Sequence, residues 1–175
     1  MEELQYPIGR FNPPATITDA QLRKYIDDIR YLPQLVELAV QNMDEYQLQT
    51  PYRPGGWTVA QVIHHLADSH MNAVVRMKLA LTENNPVIKP YDEQAWATLP
   101  DVANTPVNVS ITLLYALHNR WVKLLEHLEA DDWNKTFYHP GSGITYDMRL
   151  LAATYSWHGL HHLEHILRLK ERMGW

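Results

Sequence analysis

The residues of this chain that could do chemistry are concentrated near its C-terminal end, where four of the ten histidines lie within Trp157–His165. In an α-helix, residues four apart in sequence are about 40° apart around the axis and roughly 6 Å apart along it. Two imidazoles at this spacing can bind one metal ion. His158 and His162 form one such pair, and His161 and His165 form another. The sequence therefore predicts metal binding by two histidines of one helix, with a further ligand from elsewhere.

The two pairs are expected to face different surroundings. The helix face through His158 and His162 is apolar and must be buried, since it also carries Leu151, Tyr155, Ile166 and Leu169. The face through His161 is mostly polar and is predicted to be exposed, since it carries Thr154, Trp157, Glu164, Arg168 and Glu171. His165 lies between these faces. We therefore favour His158 and His162 as ligands, with the His161/His165 pair as the alternative.

A third ligand is expected from the helix that contains His64 and His65. Beside the apolar face of this helix runs a polar strip, typical of a buried pocket wall, formed by His65, Ser69, Asn72 and Arg76. His70 is about 140° around the axis from His65 and cannot share an ion with it. We favour His65, with the adjacent His64 as the alternative. A single histidine on an apolar face is usually a hydrogen-bonded core residue, so the metal prediction depends on all three converging.

The elements that must position these histidines are four long helices. Thr18 is a plausible N-cap, Pro33 is expected to kink or restart the first helix, Thr58 opens a capping box, and Gly174 is a natural stop. The first predicted helix spans 19–32 and continues after Pro33 to Met43. The other three span 58–82, 108–128 and 145–173, the last capped by Thr145. Residues 1–17 are predicted to be an extended arm, 42–56 and 83–107 to be loops, and 129–144 to contain a turn and a short hairpin. The pattern predicts an all-α four-helix bundle with long crossover loops, in a single domain spanning residues 1–175.

Composition excludes several classes of function. The formal net charge of −5 gives no basic surface for nucleic acid. The absence of cysteine excludes disulfides, thiolate ligands and a cysteine nucleophile. No signal peptide is recognisable at the N-terminus, and no apolar run approaches the roughly 18 residues of a membrane span. We expect a soluble cytoplasmic protein that binds neither nucleic acid nor membranes.

Several motifs carry a resemblance to a known family. They are Tyr6-Pro7-Ile8-Gly9, Pro51-Tyr52-Arg53, Gly55-Gly56-Trp57-Thr58-Val59, His64 to Asn72, Pro90-Tyr91-Asp92, Phe137-Tyr138-His139-Pro140, Trp157 to His165, and Met173-Gly174-Trp175. In these motifs, which span nearly the whole chain, the sequence resembles the DinB-like superfamily of metal-binding four-helix bundles, and within it the YfiT branch.

The resemblance implies a metal-dependent hydrolase. The family's metal is held by one histidine of the second helix and an H-x-x-x-H pair of the last helix, positions that fall on His65, His158 and His162. It also implies zinc or nickel, one ion per chain, and a homodimer. In the wider superfamily, some members transfer thiols such as bacillithiol or mycothiol, so a bacillithiol-dependent S-transferase is the alternative activity.

The chemistry of three imidazoles agrees with an enzyme acting on a small-molecule substrate. Neutral imidazoles suit zinc, nickel, iron or copper, and three protein ligands leave a position open for water or substrate, as in catalytic zinc sites. The nucleophile would be the metal-activated water, with a low-molecular-weight thiol as the alternative co-substrate. Arg76 and Asn72 are predicted to bind substrate, and Arg53 and Arg149 are weaker candidates for binding the carboxylates of an acidic substrate. A bundle in which the ion only joins the helices is the non-catalytic alternative.

A general base cannot be assigned from the sequence. The candidates are Asp68, Asp92, Glu93 and Glu164. Asp68 could equally orient a ligand imidazole from behind, and Glu164 lies on the face predicted to be exposed.

Overall fold

The bundle consists of four long helices. The computed structural model describes residues 2–175, and Met1, the first residue of the predicted arm, lies outside this range. The long helices are α2 (Asp19–Val40), α4 (Val59–Thr82), α7 (Val107–Glu126) and α8 (Met148–Met173), and the short ones are α1 (Glu2–Gln5), α3 (Glu45–Leu48), α5 (Glu93–Trp96) and α6 (Pro100–Asn104). The predicted four-helix bundle is confirmed. The short helices lie in the predicted arm and loops, where the sequence shows no long apolar period.

The predicted hairpin is also present. Strands β1 (Thr136–His139) and β2 (Ile144–Asp147) pair antiparallel, with Phe137 opposite Tyr146. The prediction that Thr145 caps the last helix is wrong, because Thr145 lies within β2. Asp147 is the N-cap instead, and its carboxylate accepts a hydrogen bond from the backbone N–H of Leu150 at 2.7 Å. An aspartate at this position satisfies a free helical N–H and complements the helix dipole.

Helix α2 runs through Pro33 without the predicted restart. Proline has no backbone N–H, so it cannot bond the carbonyl oxygen four residues earlier. That oxygen belongs to Ile29, and it lies 2.5 Å from Nδ1 of His118 on α7. A side chain of a neighbouring helix therefore satisfies the carbonyl group that the proline leaves free. This contact reduces the cost of a proline in the helix interior.

The core is divided by a layer of histidines. One apolar cluster contains the C-terminal half of α4 and the N-terminal half of α8, including Met77, Trp121 and Leu151. The other contains the opposite halves, including Ile63 and Ile166. Between the two clusters along the helices lie His70, His118, His158 and His162, and His65 on α4 adjoins this layer through His158. Apolar packing on both sides therefore fixes the helices that carry the polar layer.

Helices α2 and α8 approach each other closely at Gly159. A Cβ atom on this glycine would lie 2.6 Å from Cδ2 of Leu32, a fully buried side chain. The glycine lies directly after His158, so the close crossing helps to set the position of that histidine. Between Glu2 and Trp175, none of the helices has the length and apolar character that crossing a membrane requires.

Candidate metal centre

Three histidines from two helices meet in the polar layer. His65 comes from α4, and His158 and His162 come from successive turns of α8. One ring nitrogen from each lies within 4.8 Å of the other two. The Nε2 atoms of His65 and His158 are 3.1 Å apart. The structure thus brings together the three residues that the sequence predicts as ligands, and their role as ligands remains a prediction.

This geometry fits a transition metal ion. With zinc–nitrogen bonds of 2.0–2.1 Å and tetrahedral angles, two ligand nitrogens lie about 3.3 Å apart. The separation of 3.1 Å between the Nε2 atoms of His65 and His158 is close to that value. His65 and His162 are buried and His158 is partly exposed. His65 and His158 are therefore already spaced as two ligands of one ion.

The surroundings keep these imidazoles neutral. Burial lowers the pKa of His65 to about 4. Burial, followed by the nearby histidines, lowers the pKa of His158 and of His162 well below its ordinary value. A neutral imidazole has a lone pair for coordination, whereas an imidazolium has none. At neutral pH the site consequently needs to release no proton from these rings before it binds a metal.

A cavity of about 270 Å³ opens above the three histidines. Aromatic side chains form part of its wall, with the ring centroid of Trp57 4.6 Å from that of His65. Arg53 and Glu93 contribute charged groups to the lining. The other lining residues are Gln5, Tyr6, Tyr52, Gly55, Gly56, Gln94, Trp157, His161 and His165. The arrangement offers a small polar molecule access to the histidine nitrogens.

Comparison with known proteins identifies the family. The sequence profile of the DinB superfamily matches residues 29–166. The chain belongs to the DinB superfamily. Proteins named "Putative metal-dependent hydrolase" from Bacillus mycoides (strain KBAB4) and Bacillus cereus (strain ATCC 10987) are 52% and 50% identical, over the full length of both chains in each case.

A solved structure has the same fold. YfiT from Bacillus subtilis, described as "a probable metal-dependent hydrolase with an unusual four-helix bundle topology", aligns with a TM-score of 0.96. The alignment covers 99% of each chain at 45% sequence identity. The resemblance predicted from the sequence motifs is confirmed at the level of superfamily and fold.

His161 does not lie where the sequence places it. His161 is 7% exposed, so the prediction that its face is solvated is wrong at this position. The N-terminal arm covers it, with the ring centroid of Tyr6 5.8 Å away. His165 is also buried and stacks on Tyr52 at 3.9 Å between ring centroids. With His162, these two form a second group of three histidines that could hold a metal in this DinB chain.

His64 faces away from the centre. Its Nδ1 lies 2.8 Å from the hydroxyl oxygen of Ser110 on α7, and its Nε2 is buried without a hydrogen-bond partner among residues 2–175. Burial lowers its pKa. The geometry therefore brings His65, rather than His64, to the pair on α8.

The predicted substrate-binding residues lie outside the cavity lining. The guanidinium of Arg76 is buried 5.9 Å from the ring centroid of Tyr91. The amide of Asn72 donates to the backbone carbonyl of Asp68 at 2.9 Å. The basic side chain that does line the cavity is Arg53, which the sequence offers only as a weaker candidate for binding an acidic substrate.

Among the candidate acids, the cavity selects Glu93. Partial desolvation of its carboxyl, then Asp92, raises the pKa of Glu93, although the residue as a whole is exposed. Asp68 does not line the cavity, and its pKa is raised to about 6 by burial and by Asp101. Within residues 2–175, no hydrogen bond joins Asp68 to His65, so the suggested orienting role finds no support.

Sequence reasoning missed two buried histidines behind His158. Nε2 of His70 is 3.1 Å from Nδ1 of His158, and Nδ1 of His70 is 2.8 Å from Nε2 of His118. The burial of His118 could have been predicted, since it lies on the apolar face of α7 between Leu114 and Trp121. The sequence places His70 on a different side of α4 from His65, yet both rings contact His158, and this convergence depends on how the helices cross.

Proposed function

We propose that this DinB protein is a metal-dependent hydrolase that binds one zinc or nickel ion through His65, His158 and His162. The observation that carries the proposal is the convergence of three neutral ring nitrogens within 4.8 Å at the base of a cavity. The names of full-length relatives at 50% and 52% identity support the same activity. We further propose a small-molecule substrate, since the cavity measures about 270 Å³.

Three protein ligands are typical of catalytic rather than structural zinc sites, because they leave a coordination position open. A divalent ion held there would lower the pKa of a bound water to about 7 and polarise a carbonyl group. The chain supplies the rest of the chemistry. Trp57 and Trp157 exclude bulk water from one side of the cavity, and Arg53 attracts an anionic substrate group.

Glu93 is the proton-transfer group in this proposal. Its carboxyl lines the cavity, and its raised pKa brings it nearer to neutral pH, where a general acid or base works best. Glu93→Gln should lower kcat while metal content stays at the wild-type value. Unchanged kcat would remove Glu93 from the mechanism and leave the metal assignment intact.

A thiol S-transferase is the second candidate, and the position of Arg53 favours it. The protein has no cysteine, so any thiol must arrive as a small molecule. Arg53 lies in the same cavity as the three histidines and could bind a carboxylate of an acidic thiol such as bacillithiol. The open coordination position would then accept the thiolate.

The experiment is turnover by zinc- or nickel-loaded protein on a panel of esters, amides and electrophilic halides, each with and without bacillithiol. Hydrolysis predicts product without thiol, and transfer predicts an absolute requirement for thiol. His158→Ala should abolish either activity, whereas His127→Ala, at an exposed position on the C-terminal side of α7, should retain it. Equal turnover by His158→Ala and wild type would contradict both candidates.

Assembly and location complete the proposal. We propose a homodimer, as the resemblance to the YfiT branch implies, and a cytoplasmic location, where a reducing environment would keep a thiol co-substrate reduced. Sedimentation at micromolar concentration tests the first, since a monomer would contradict it. Fractionation of cells tests the second.

A further inference from the structure

We propose that His118, His70 and His165 are positioning residues that hold the Nε2 atoms of His158 and His162 unprotonated and directed at the metal. Two hydrogen-bonded chains of imidazoles each begin at a backbone carbonyl oxygen. They fix which nitrogen of each ring carries its proton. The inference deepens the proposed metal site and rests on it, but the tautomers it predicts exist without the metal.

The first chain begins at the carbonyl oxygen of Ile29. Nδ1 of His118 lies 2.5 Å from this oxygen. A carbonyl oxygen can only accept, so Nδ1 of His118 must carry a proton. The oxygen is available because Pro33 has no N–H to bond it within α2. In the neutral ring, Nε2 of His118 is then an acceptor.

The proton positions follow from ring to ring. Nδ1 of His70 lies 2.8 Å from Nε2 of His118, so Nδ1 of His70 donates and Nε2 of His70 is left as an acceptor. Nδ1 of His158 lies 3.1 Å from that Nε2 and donates to it. Nε2 of His158 is therefore the atom with the free lone pair. It is also the atom that faces His65 at 3.1 Å.

The surroundings favour neutral rings along this chain. His70 and His118 are 0% and 1% exposed, and their rings are nearly parallel, at 6°, with centroids 4.9 Å apart, as an edge-to-edge hydrogen bond requires. Trp121 and Tyr155 meet the ring of His70 edge-on at 5.8 and 5.1 Å. A second proton on His70 would make both its nitrogens donors, and Nε2 of His158 would then have to carry a proton. The metal-facing lone pair thus requires the neutral chain.

The second chain begins at the carbonyl oxygen of Gln5 on α1. Nε2 of His165 lies 3.1 Å from it and must donate, which leaves Nδ1 of His165 as an acceptor. Nδ1 of His162 lies 3.4 Å from that atom, a longer contact than any in the first chain. Donation along it leaves Nε2 of His162 with the free lone pair. The N-terminal arm consequently orients a ligand on α8.

The two chains explain the second group of three histidines. His165 shares that group with His161 and His162, but one nitrogen of His165 is occupied by Gln5 and the other by His162. A second ion there would have to break the contact that orients His162. Ligand histidines commonly donate their other N–H to a carboxylate or a carbonyl group. Here the N–H groups of His158 and His162 donate to neutral imidazoles, those of His70 and His165, so these acceptors add no negative charge near the ion.

The direct test is a long-range ¹H–¹⁵N correlation spectrum of the metal-free protein labelled with ¹⁵N-histidine, which distinguishes the two tautomers of each ring. We expect the Nδ1–H tautomer for His118, His70, His158 and His162, and the Nε2–H tautomer for His165. The Nε2–H tautomer at His70 or His158 would overturn the proposal. Predicted tautomers in a protein that binds no metal would refute the proposed function and leave the proton assignment standing.

Variants test the effect on the metal. His118→Leu should weaken zinc affinity, measured by competition with a chelator, by about 10- to 100-fold, and should mix the tautomers of His158. His118→Gln, whose amide oxygen can accept the His70 proton, should rescue most of the loss. The matched control is His127→Leu, since Nδ1 of His127 also lies 2.7 Å from a backbone carbonyl, that of Lys123, but at an exposed position. Equal affinities in His118→Leu and His127→Leu would contradict the positioning role. If His118→Leu does not fold, the wild-type spectrum decides.

Discussion

Acidification of the metal-free protein should destabilise it far more than its carboxylates would. Burial holds the pKa of each of four histidines, His65, His118, His161 and His165, at about 4. In the unfolded chain the same rings titrate near 6.5. Below pH 6.5 the unfolded state therefore binds protons that the folded state excludes. The free energy of unfolding consequently decreases as the pH is lowered. Above about pH 7.5 neither state binds them, and the effect vanishes.

The magnitude follows from the distance between the two pKa values. At pH 5.5, one unit below the unfolded pKa, each ring costs somewhat more than ~1 kcal/mol, so the four together cost on the order of 5 kcal/mol. His70, His158 and His162, whose pKa values are also lowered, act in the same direction. Asp68 opposes them by about 1 kcal/mol, because its folded pKa is raised to about 6. A net loss of this size is comparable with the total stability of a typical domain, about 5–15 kcal/mol.

The assay is urea unfolding of the metal-free protein at pH 7.5, 6.5 and 5.5, followed by tryptophan fluorescence. We expect the midpoint to fall steeply between pH 6.5 and 5.5. His118→Gln should reduce this dependence by about 1 kcal/mol, and His127→Gln, at an exposed position, should leave it unchanged. Equal stability at pH 7.5 and 5.5 would refute the reasoning, because it would mean that the buried rings accept protons in the folded state.

Three further substitutions test the packing and the site. Gly159→Ala should lower the free energy of unfolding, measured in urea, by about 1 kcal/mol, because the new Cβ would overlap Leu32. This loss outweighs the better helix propensity of alanine. A gain in stability would show that α2 and α8 are not tightly packed at this crossing. Asp147→Ala should cost about 1 kcal/mol through loss of the cap on Leu150, and an unchanged midpoint would contradict that role. His161→Ala should keep one metal per chain, since the proposed ligands are His65, His158 and His162. Loss of the metal would favour the alternative pair, His161 and His165.

Much of the fold could be predicted because its signals are local. Thr58 and Gln61 form a capping box that marks the start of α4, and both predicted hydrogen bonds are present. The buried face of α8 follows from helical periodicity, which also directs His162 towards the core. Gly174 ends α8 in the left-handed conformation, with φ of 71°. Each of these features depends on residues a few positions apart.

The missed features depend on contacts between distant parts of the chain. His161 is buried because Tyr6 packs near it from the opposite end of the sequence. The link between His118 and Ile29 joins α7 to α2, and it depends on a carbonyl group that Pro33 leaves free. Periodicity within one helix gives no information about which residue of another helix it will meet. For the same reason, the sequence alone could not select Arg53 over Arg76 for the cavity.

The central claim is that His65, His158 and His162 hold one transition metal ion. The most direct measurement is elemental analysis of the purified protein, beside a His65→Ala/His158→Ala/His162→Ala variant and a His127→Ala control. We expect about one zinc or nickel per chain in the wild type and the control, and none in the triple variant. Absence of metal from the wild type even after reconstitution with zinc and nickel, or an equal metal content in the triple variant, would contradict it.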